Sequence, residues 1–166
     1  YICTSPFPYD GIFRRAVLNF KFHNCGAYAE LLSHEMVRSI KDVYRDREFD
    51  LVTCVPMHKD TLRKRGYNQA ELLAKECARL LGIEYADLLV KTKKNKTQHS
   101  IKAAERAKNV IGVYSPIDKN LIKGKRILII DDIITTGSTL GECARILNKC
   151  KCGEICCCTL CTSLLI

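Results

Sequence analysis

Apolar residues return at positions 12, 13, 16, 17 and 20 of "GIFRRAVLNFKF" (11–22). That is the 3.6-residue period of a helix with one buried face. Asp10 stands where a side-chain oxygen can cap its start. "AYAELLSHEMVRSIKDVYRD" (27–46) keeps the same period over a longer run. "NQAELLAKECARLLG" (68–82) has fitting ends: Asn68 before it, Glu71 three residues on, Gly82 after it. The spacing predicts two more helices, "IKAAERAKNV" (101–110) and "STLGECARILNK" (138–149). Between the helices lie short continuous apolar runs, which suit strands covered on both faces. They are "FDLVTCVP" (49–56), stopped by proline, "ADLLVK" (86–91), "KRILIID" (125–131) and "EICCCTLCTS" (154–163). Segments 57–66 and 93–100 are polar, offer nothing to a core, and read as loops.

Strands alternating with helices predict an α/β fold, a mostly parallel central sheet flanked by helices. A single domain over 1–166 is expected, with a helical N-terminal part (1–48) and a Rossmann-like core (49–166). Such sheets bind ligands beyond the carboxyl ends of their strands. Loops 57–66, 93–100 and 131–139 each follow a strand, so all three are expected at that edge. No repeat, long linker or low-complexity segment interrupts the pattern.

Composition sharpens this. The chain has 166 residues, 47% of them apolar, which is typical of a globular protein with its own core. No run reaches the roughly 20 apolar residues of a membrane-spanning helix. "YICTSPFPYD" lacks the basic start and apolar stretch of a secretory signal, so a cytoplasmic location is expected. A first residue of Tyr1 rather than Met marks an expected piece of a longer protein. The net charge of +9 attracts polyanions, nucleic acid or phosphorylated small molecules. It concentrates in "KDTLRKR" (59–65) and "KTKKNK" (91–96). Of 11 cysteines, seven lie between Cys143 and Cys161. Cys158 and Cys161 form a CxxC and Cys150 and Cys152 a CxC, but no histidine is near. Stretch 155–161 reads as a buried strand, where thiols act as small hydrophobes. Core packing is therefore expected, and no direct protein zinc site.

The chemistry concentrates in "ILIIDDIITTGST" (127–139). A strand ends at Asp131 and Asp132, and a helix starts near Ser138. Backbone amides from Thr136 to Thr139 would then point out of a helix N-terminus, which favours an anion. Gly137 allows close backbone approach. The hydroxyls of Thr135, Thr136, Ser138 and Thr139 add short donors. Carboxylates repel phosphate, so Asp131 and Asp132 need another target on the same ligand: sugar hydroxyls or a bound Mg²⁺. A Walker A loop and a GxGxxG fingerprint are both absent. "ILIIDD" also resembles the first strand of response-regulator receiver domains, but only about 34 residues follow Asp132. A purely structural strand and helix cap would leave two adjacent carboxylates unexplained.

Residues 127–139 resemble the phosphoribosyl-pyrophosphate (PRPP) signature of the type I phosphoribosyltransferases. "VPMHKDTLRKRGYNQAELLA" (55–74), "NKTQHSIKAAERAKNVIGVY" (95–114) and "YDGIFRRAVLNFKF" (9–22) resemble segments of the competence protein ComF family of that superfamily. Many of its members carry a cysteine-rich zinc module ahead of this point; the cysteine-rich tail here lies at the other end. The resemblance implies a phosphoribosyltransferase (PRTase-like) fold. It implies that Thr135, Thr136, Gly137, Ser138 and Thr139 hold a 5′-phosphate and that Asp131 and Asp132 hold the ribose hydroxyls with associated Mg²⁺. It implies a pyrophosphate loop of Val55, Pro56, Met57, His58 and Lys59, with Arg63 and Arg65 adding charge. It implies a closing loop that includes Lys94, Lys96, Gln98, His99 and Arg106 and excludes water from an oxocarbenium-like ribose.

Mg²⁺ with PRPP is the implied cofactor and pyrophosphate the leaving group. Purine salvage relatives carry an aspartate where Thr135 stands, which argues against hypoxanthine or guanine as acceptor. Such chains are often named amidophosphoribosyltransferases, but no glutaminase segment is recognisable here. The family name implies a second class of function, an accessory of DNA uptake that binds single-stranded DNA or a competence helicase. Against base stacking stand 7% aromatic residues and no tryptophan. A homodimer and no membrane insertion complete the expectations.

Overall fold

The computed structural model describes residues 1–22, 26–93 and 110–164. Among them the chain runs β1 (Ile2–Thr4), β2 (Phe7–Pro8), α1 (Gly11–Phe22), α2 (Gly26–Val43), β3 (Leu51–Cys54), α3 (Lys59–Arg65) and α4 (Gln69–Leu81). It continues through β4 (Glu84–Tyr85), β5 (Leu89–Lys91), β6 (Tyr114–Pro116), α5 (Lys119–Ile122), β7 (Arg126–Ile134), α6 (Ser138–Lys149) and β8 (Glu154–Thr162). The main sheet has the order β1-β8-β7-β3-β4, with β2 also on β8, and every pairing in it is parallel. The α/β class and the parallel sheet match the sequence pattern.

Burial on both faces explains why the strands are continuous apolar runs. Along β7, Leu128 and Ile130 face one core while Ile127 and Ile129 face the other, all at 0% exposure. On the first face Met36 and Ile40 of α2 and Leu73, Ala74 and Cys77 of α4 complete the packing. On the second, Leu140, Cys143, Ala144 and Leu147 of α6 do so. The cysteines of β8 are part of this core: Cys156, Cys157, Cys158 and Cys161 are buried, as expected of thiols used as hydrophobes. Burial also pushes the Cys54 and Cys77 thiols up to about 12, so they stay protonated and unreactive.

Three expectations need correction. First, β7 does not end at Asp131. It runs to Ile134 because β8 is equally long and continues the ladder: Asp131 pairs with Thr159, Ile133 with Cys161 and Ile134 with Thr162. Second, the run 86–91 adds no strand to the parallel sheet. Its β5 pairs antiparallel with β6, Leu89 to Pro116 and Lys91 to Tyr114. Leu89 is buried and Val90 exposed, the alternation of a ribbon with one wet face, so the loop after it does not start from the sheet's carboxyl edge. Third, the basic segment read as a loop contains α3. This helix buries no residue, so it has no apolar period to detect. The N-terminal part contributes strands as well as helices, through β1 and β2. The helix expected at 101–110 lies outside the described residues, apart from Val110.

At the amino ends of the strands, charge is paired with charge. Arg126 donates to Asp50 Oδ1 and Oδ2 at 2.8 and 3.1 Å and to Glu48 at 2.8 Å. That arginine holds the Asp50 carboxyl well below its usual range. Arg47 pairs with Glu154. Among the described residues, no helix is long and apolar enough to cross a membrane.

Candidate functional site

The carboxyl end of β7 supplies the two acids. Both are half-buried, and the Asp132 N–H donates to Asp131 Oδ1 at 2.9 Å. Ile134 ends the strand, three residues turn the chain, and α6 begins at Ser138. Gly137 is the N-cap of α6, with φ 71° and no side-chain cap bond. Its carbonyl accepts from Gly141 N–H at 2.8 Å and from the Tyr1 hydroxyl at 2.9 Å. A Cβ at Gly137 would lie 3.1 Å from that hydroxyl oxygen, so glycine is favoured here by the left-handed backbone and lets the Tyr1 hydroxyl come close. Thr136 Oγ1 and Ser138 Oγ lie 2.8 Å apart, and the Ser138 N–H approaches Thr136 Oγ1 at a long 3.4 Å. A concavity of about 30 Å³ opens over this turn, lined by Asp131 and by residues from Ile133 to Leu140.

Beside it lies a polar cavity of about 250 Å³ that shares Asp131 and Thr139 with the first. Three other segments wall it. Val55–His58 come off the end of β3, where the Val55 N–H donates to the Ile130 carbonyl at 3.0 Å. The Asn68 side chain donates to the Val55 carbonyl at 3.1 Å and accepts from Ala70 N–H at 3.2 Å. One buried amide thus caps α4 and fixes the loop. His58 caps α3 by accepting the Asp60 N–H at Nδ1, at 3.2 Å. The helix period of α3 then turns Thr61 and Arg65 to the cavity and Lys59 and Arg63 to solvent. Arg65 Nη1 donates to Gln69 Oε1 at 2.9 Å. The third wall is the β5–β6 ribbon, through Lys91 and Tyr114.

The electrostatics are of mixed sign by construction. Asp131 and Asp132 stand on one wall, with Lys91 and Arg65 on others. The Lys91 amine lies 5.4 Å from the centre of the Tyr114 ring, a cation–π distance. Burial pulls the Lys91 amine below the ordinary lysine range, against the opposite pull of Cys143 and Asp131. Burial likewise raises the Tyr114 hydroxyl, so that ring stays neutral. A larger cavity of about 520 Å³ lies at the other end of the sheet, lined in part by Tyr44, Phe49 and Arg126. It holds no motif residue, and its Arg126 is occupied by Asp50 and Glu48. Chemistry, not size, selects the smaller cavity.

Most of the motif residues come together here. Val55, Pro56, Met57, His58, Arg65, Asp131, Asp132 and Thr139 line the larger space, and Thr135, Thr136, Gly137 and Ser138 the smaller. Lys59 and Arg63 line neither. Lys94, Lys96, Gln98, His99 and Arg106 lie outside the described residues. The sequence pattern missed Thr61, Gln69, Lys91 and Tyr114 as lining residues, and gave Asn68 only a capping role. Tyr114 closes the motif segment 95–114, a signal that could have found it. Lys91 is set apart from its neighbouring lysines only by its place at the end of an aliphatic run.

A family model described as the phosphoribosyl transferase domain matches residues 68–164. Competence protein F of Haemophilus influenzae is 33% identical over 144 residues, which cover 84% of this chain and 63% of that protein. Competence protein ComFC of Bacillus subtilis is 30% identical over 152 residues, 91% of this chain and 60% of the relative. The DNA utilization protein YhgH of Escherichia coli is 30% identical over 101 residues, 60% of this chain and 44% of its own. The chain thus spans less than two-thirds of each of these relatives. Among solved structures, the glutamine PRPP amidotransferase from B. subtilis complexed with ADP and GMP superposes with a TM-score of 0.56 at 18% identity. That match covers 84% of this chain and 30% of the amidotransferase, and at such identity it speaks to the fold alone. The family match places the chain in the phosphoribosyl transferase domain family, and over most of its length it is similar to competence protein F and ComFC.

Proposed function

We propose that the chain binds PRPP with Mg²⁺ and acts as a phosphoribosyltransferase. The observation that carries this reading is a helix N-terminus left without a side-chain cap, at Gly137, directly beside two carboxylates in one cavity wall. Open helix amides suit the 5′-phosphate. Asp131 and Asp132 suit the ribose hydroxyls, and hard carboxylate oxygens suit Mg²⁺. Bound there with the diphosphate, Mg²⁺ would offset the negative charge that builds on the leaving group. Arg65 and Lys91, on the walls away from the phosphate turn, supply cations for the same diphosphate. In the reaction the C1–O bond of the ribose breaks, pyrophosphate leaves with the bonding electrons, and a nucleophile of the acceptor bonds to C1. The residues act by holding both ends of PRPP so that C1 is fixed between them.

Calorimetric titration of Mg²⁺·PRPP into the wild type and an Asp131→Asn/Asp132→Asn variant tests the reading. Wild-type binding, weakened more than about tenfold (~1.4 kcal/mol) in the variant, is the expected result. No binding to the wild type would sink the proposal.

A second reading draws on α3. This helix buries nothing and turns Lys59, Arg63 and Lys64 to solvent, so its cations are available to a polyanion outside the cavity. Relatives carry the names of competence and DNA utilization proteins. Here the chain would bind single-stranded DNA along this helix, with the PRPP cavity separate. A Lys59→Ala/Arg63→Ala variant distinguishes the two: it should lose salt-dependent binding of single strands and keep PRPP affinity. Absence of strand binding by the wild type at low salt would exclude this role.

A further inference from the structure

Lys91 and Tyr114 reach the cavity from a ribbon that is not part of the parallel sheet, so something must fix the ribbon against the core. Within the ribbon, Lys91 pairs with Tyr114, and the Thr92 N–H and hydroxyl both donate to the Val113 carbonyl, at 2.8 and 3.2 Å. Toward the sheet, the Leu88 N–H makes a long 3.4 Å bond to Thr53 Oγ1. At the opposite end the tie is shorter and charged: the Gly112 N–H donates to Glu142 Oε1 at 2.8 Å.

Glu142 is an unusual residue to find there. It sits on α6, just over one turn beyond Gly137, and is only 5% exposed. A buried carboxylate is costly unless it is hydrogen-bonded and paired. Glu142 meets that condition with three donors: Gly112 N–H, Arg145 Nε at 2.6 Å and Arg145 Nη2 at 2.7 Å. Those partners also hold its carboxyl below the ordinary range, the arginine contributing most. An arginine pair along one helix would be ordinary and could sit in solvent. What is not ordinary is that Oε1 points inward to a main-chain N–H of another segment. Gly112 has φ 71° and a Cβ there would meet open space, while Val110 and Val113 on either side are buried in the core, so packing seats the turn's flanks and this bond holds its tip. Two residues after that turn, the chain places Tyr114 in the cavity wall, with Lys91 directly across the ribbon.

We propose that Glu142 is a positioning residue: it latches the Gly112 turn to α6 and so sets Lys91 and Tyr114 at the distance from the phosphate turn that one PRPP molecule spans. The latch rests on the PRPP reading for its effect on binding, but not for its effect on the ribbon. Both ends of the ligand site are then referenced to a single helix, because α6 carries the phosphate turn at its start and the ribbon's anchor one turn later.

The test is a double-mutant cycle read at a temperature well below each variant's unfolding. Glu142→Met should weaken Mg²⁺·PRPP binding about fivefold in the wild-type background, in keeping with loss of a charged hydrogen bond that acts indirectly. In a Lys91→Met background the same change should weaken it by less than about twofold, since the residue it positions is gone. Arg145→Met keeps the Gly112 bond and should leave affinity within about twofold of the wild type. Equal weakening by Glu142→Met in both backgrounds, or a lowered Tm with unchanged affinity, would show a merely structural carboxylate and overturn the proposal. Two readouts need no ligand. By hydrogen exchange, Glu142→Met should speed the Gly112 amide by more than about tenfold while β7 amides stay protected. By NMR titration, it should move the Lys91 amine back toward an ordinary lysine. If the wild type binds no PRPP, these two decide the latch alone. An unchanged Gly112 amide and an unmoved Lys91 would reject it.

Discussion

Among the described residues, α3, α4 and α5 start behind a side-chain cap, and α6 is built differently. His58, Asn68 and Asp118 each turn a side chain back to accept an N–H of the first turn of α3, α4 and α5. At α6 the N-cap is Gly137, which has no side chain to do so, and the first turn meets only the long 3.4 Å contact of Ser138 N–H with Thr136 Oγ1. A side-chain cap is worth about 1 kcal/mol to a helix and satisfies one of its open amides. The three capped helices use that amide on themselves. The fourth forgoes that stabilisation and leaves its first turn more open, next to Asp131 and Asp132. On the reading proposed above, the contrast separates helix starts that serve the fold from one left open to a ligand, and it does so without reference to any motif.

The largest expected effect comes from closing the open start. Gly137→Val forces a β-branched residue into φ 71° and puts a Cβ 3.1 Å from the Tyr1 hydroxyl oxygen. PRPP affinity should fall on the order of 100-fold (~2.7 kcal/mol) by calorimetry, with a lowered Tm. Next comes the loss of a structural cap. Asn68→Ala removes both the α4 cap and the bond to the Val55 carbonyl, and should cost about 1–2 kcal/mol in urea unfolding. If it weakened ligand binding more than Gly137→Val does, the division between the two kinds of helix start would fail.

Lys91 sharpens the comparison through pH. Its folded value lies below the ordinary lysine value. The folded state therefore binds fewer protons than the unfolded state between the two values, and stability rises with pH across that window. Anion binding follows the opposite sign, because it needs the charged amine: affinity should fall as pH rises through the lowered value, earlier than for an ordinary lysine. Lys91→Met should then raise Tm at neutral pH while weakening PRPP binding about fivefold, and flatten the alkaline limb of the affinity profile. An unchanged limb would remove Lys91 from the site. The smallest effect is expected at α3: His58→Ala should cost about 0.5–1 kcal/mol in urea unfolding, a mild loss on a helix that buries nothing.

How much of this was legible in the sequence follows from the same physics. The β7–turn–α6 unit was, because a buried parallel strand must be a continuous apolar run and Gly137 stands where a left-handed turn favours glycine. Its true end was not, since Asp131 and Asp132 look like strand terminators and only the ladder to β8 carries them onward. Strands β1, β2 and β4 have two or three residues each, too few to show a period. α3 escaped because it has no buried face. Lys91 was hidden among the lysines of 91–96, because its role depends on pairing with Tyr114 across a ribbon, a relation between two segments far apart in sequence. Local pattern reports local structure; the cavity is assembled from distant segments.

Among the described residues, strand β8 comes latest in sequence yet is an interior strand in space, with β7 on one side and β1 and β2 on the other. Ile2 therefore waits for Cys156, and Phe7 for Cys161, before either has a ladder partner. During synthesis β1 and β2 emerge well before the strand that seats them, and long-range parallel pairing is intrinsically slow. Until Glu154–Thr162 arrives, β7 presents an unpaired apolar edge, the kind of surface on which chains join one another. The order of translation thus runs against the order of assembly in this sheet, and a chain interrupted before β8 would be exposed to aggregation rather than merely incomplete.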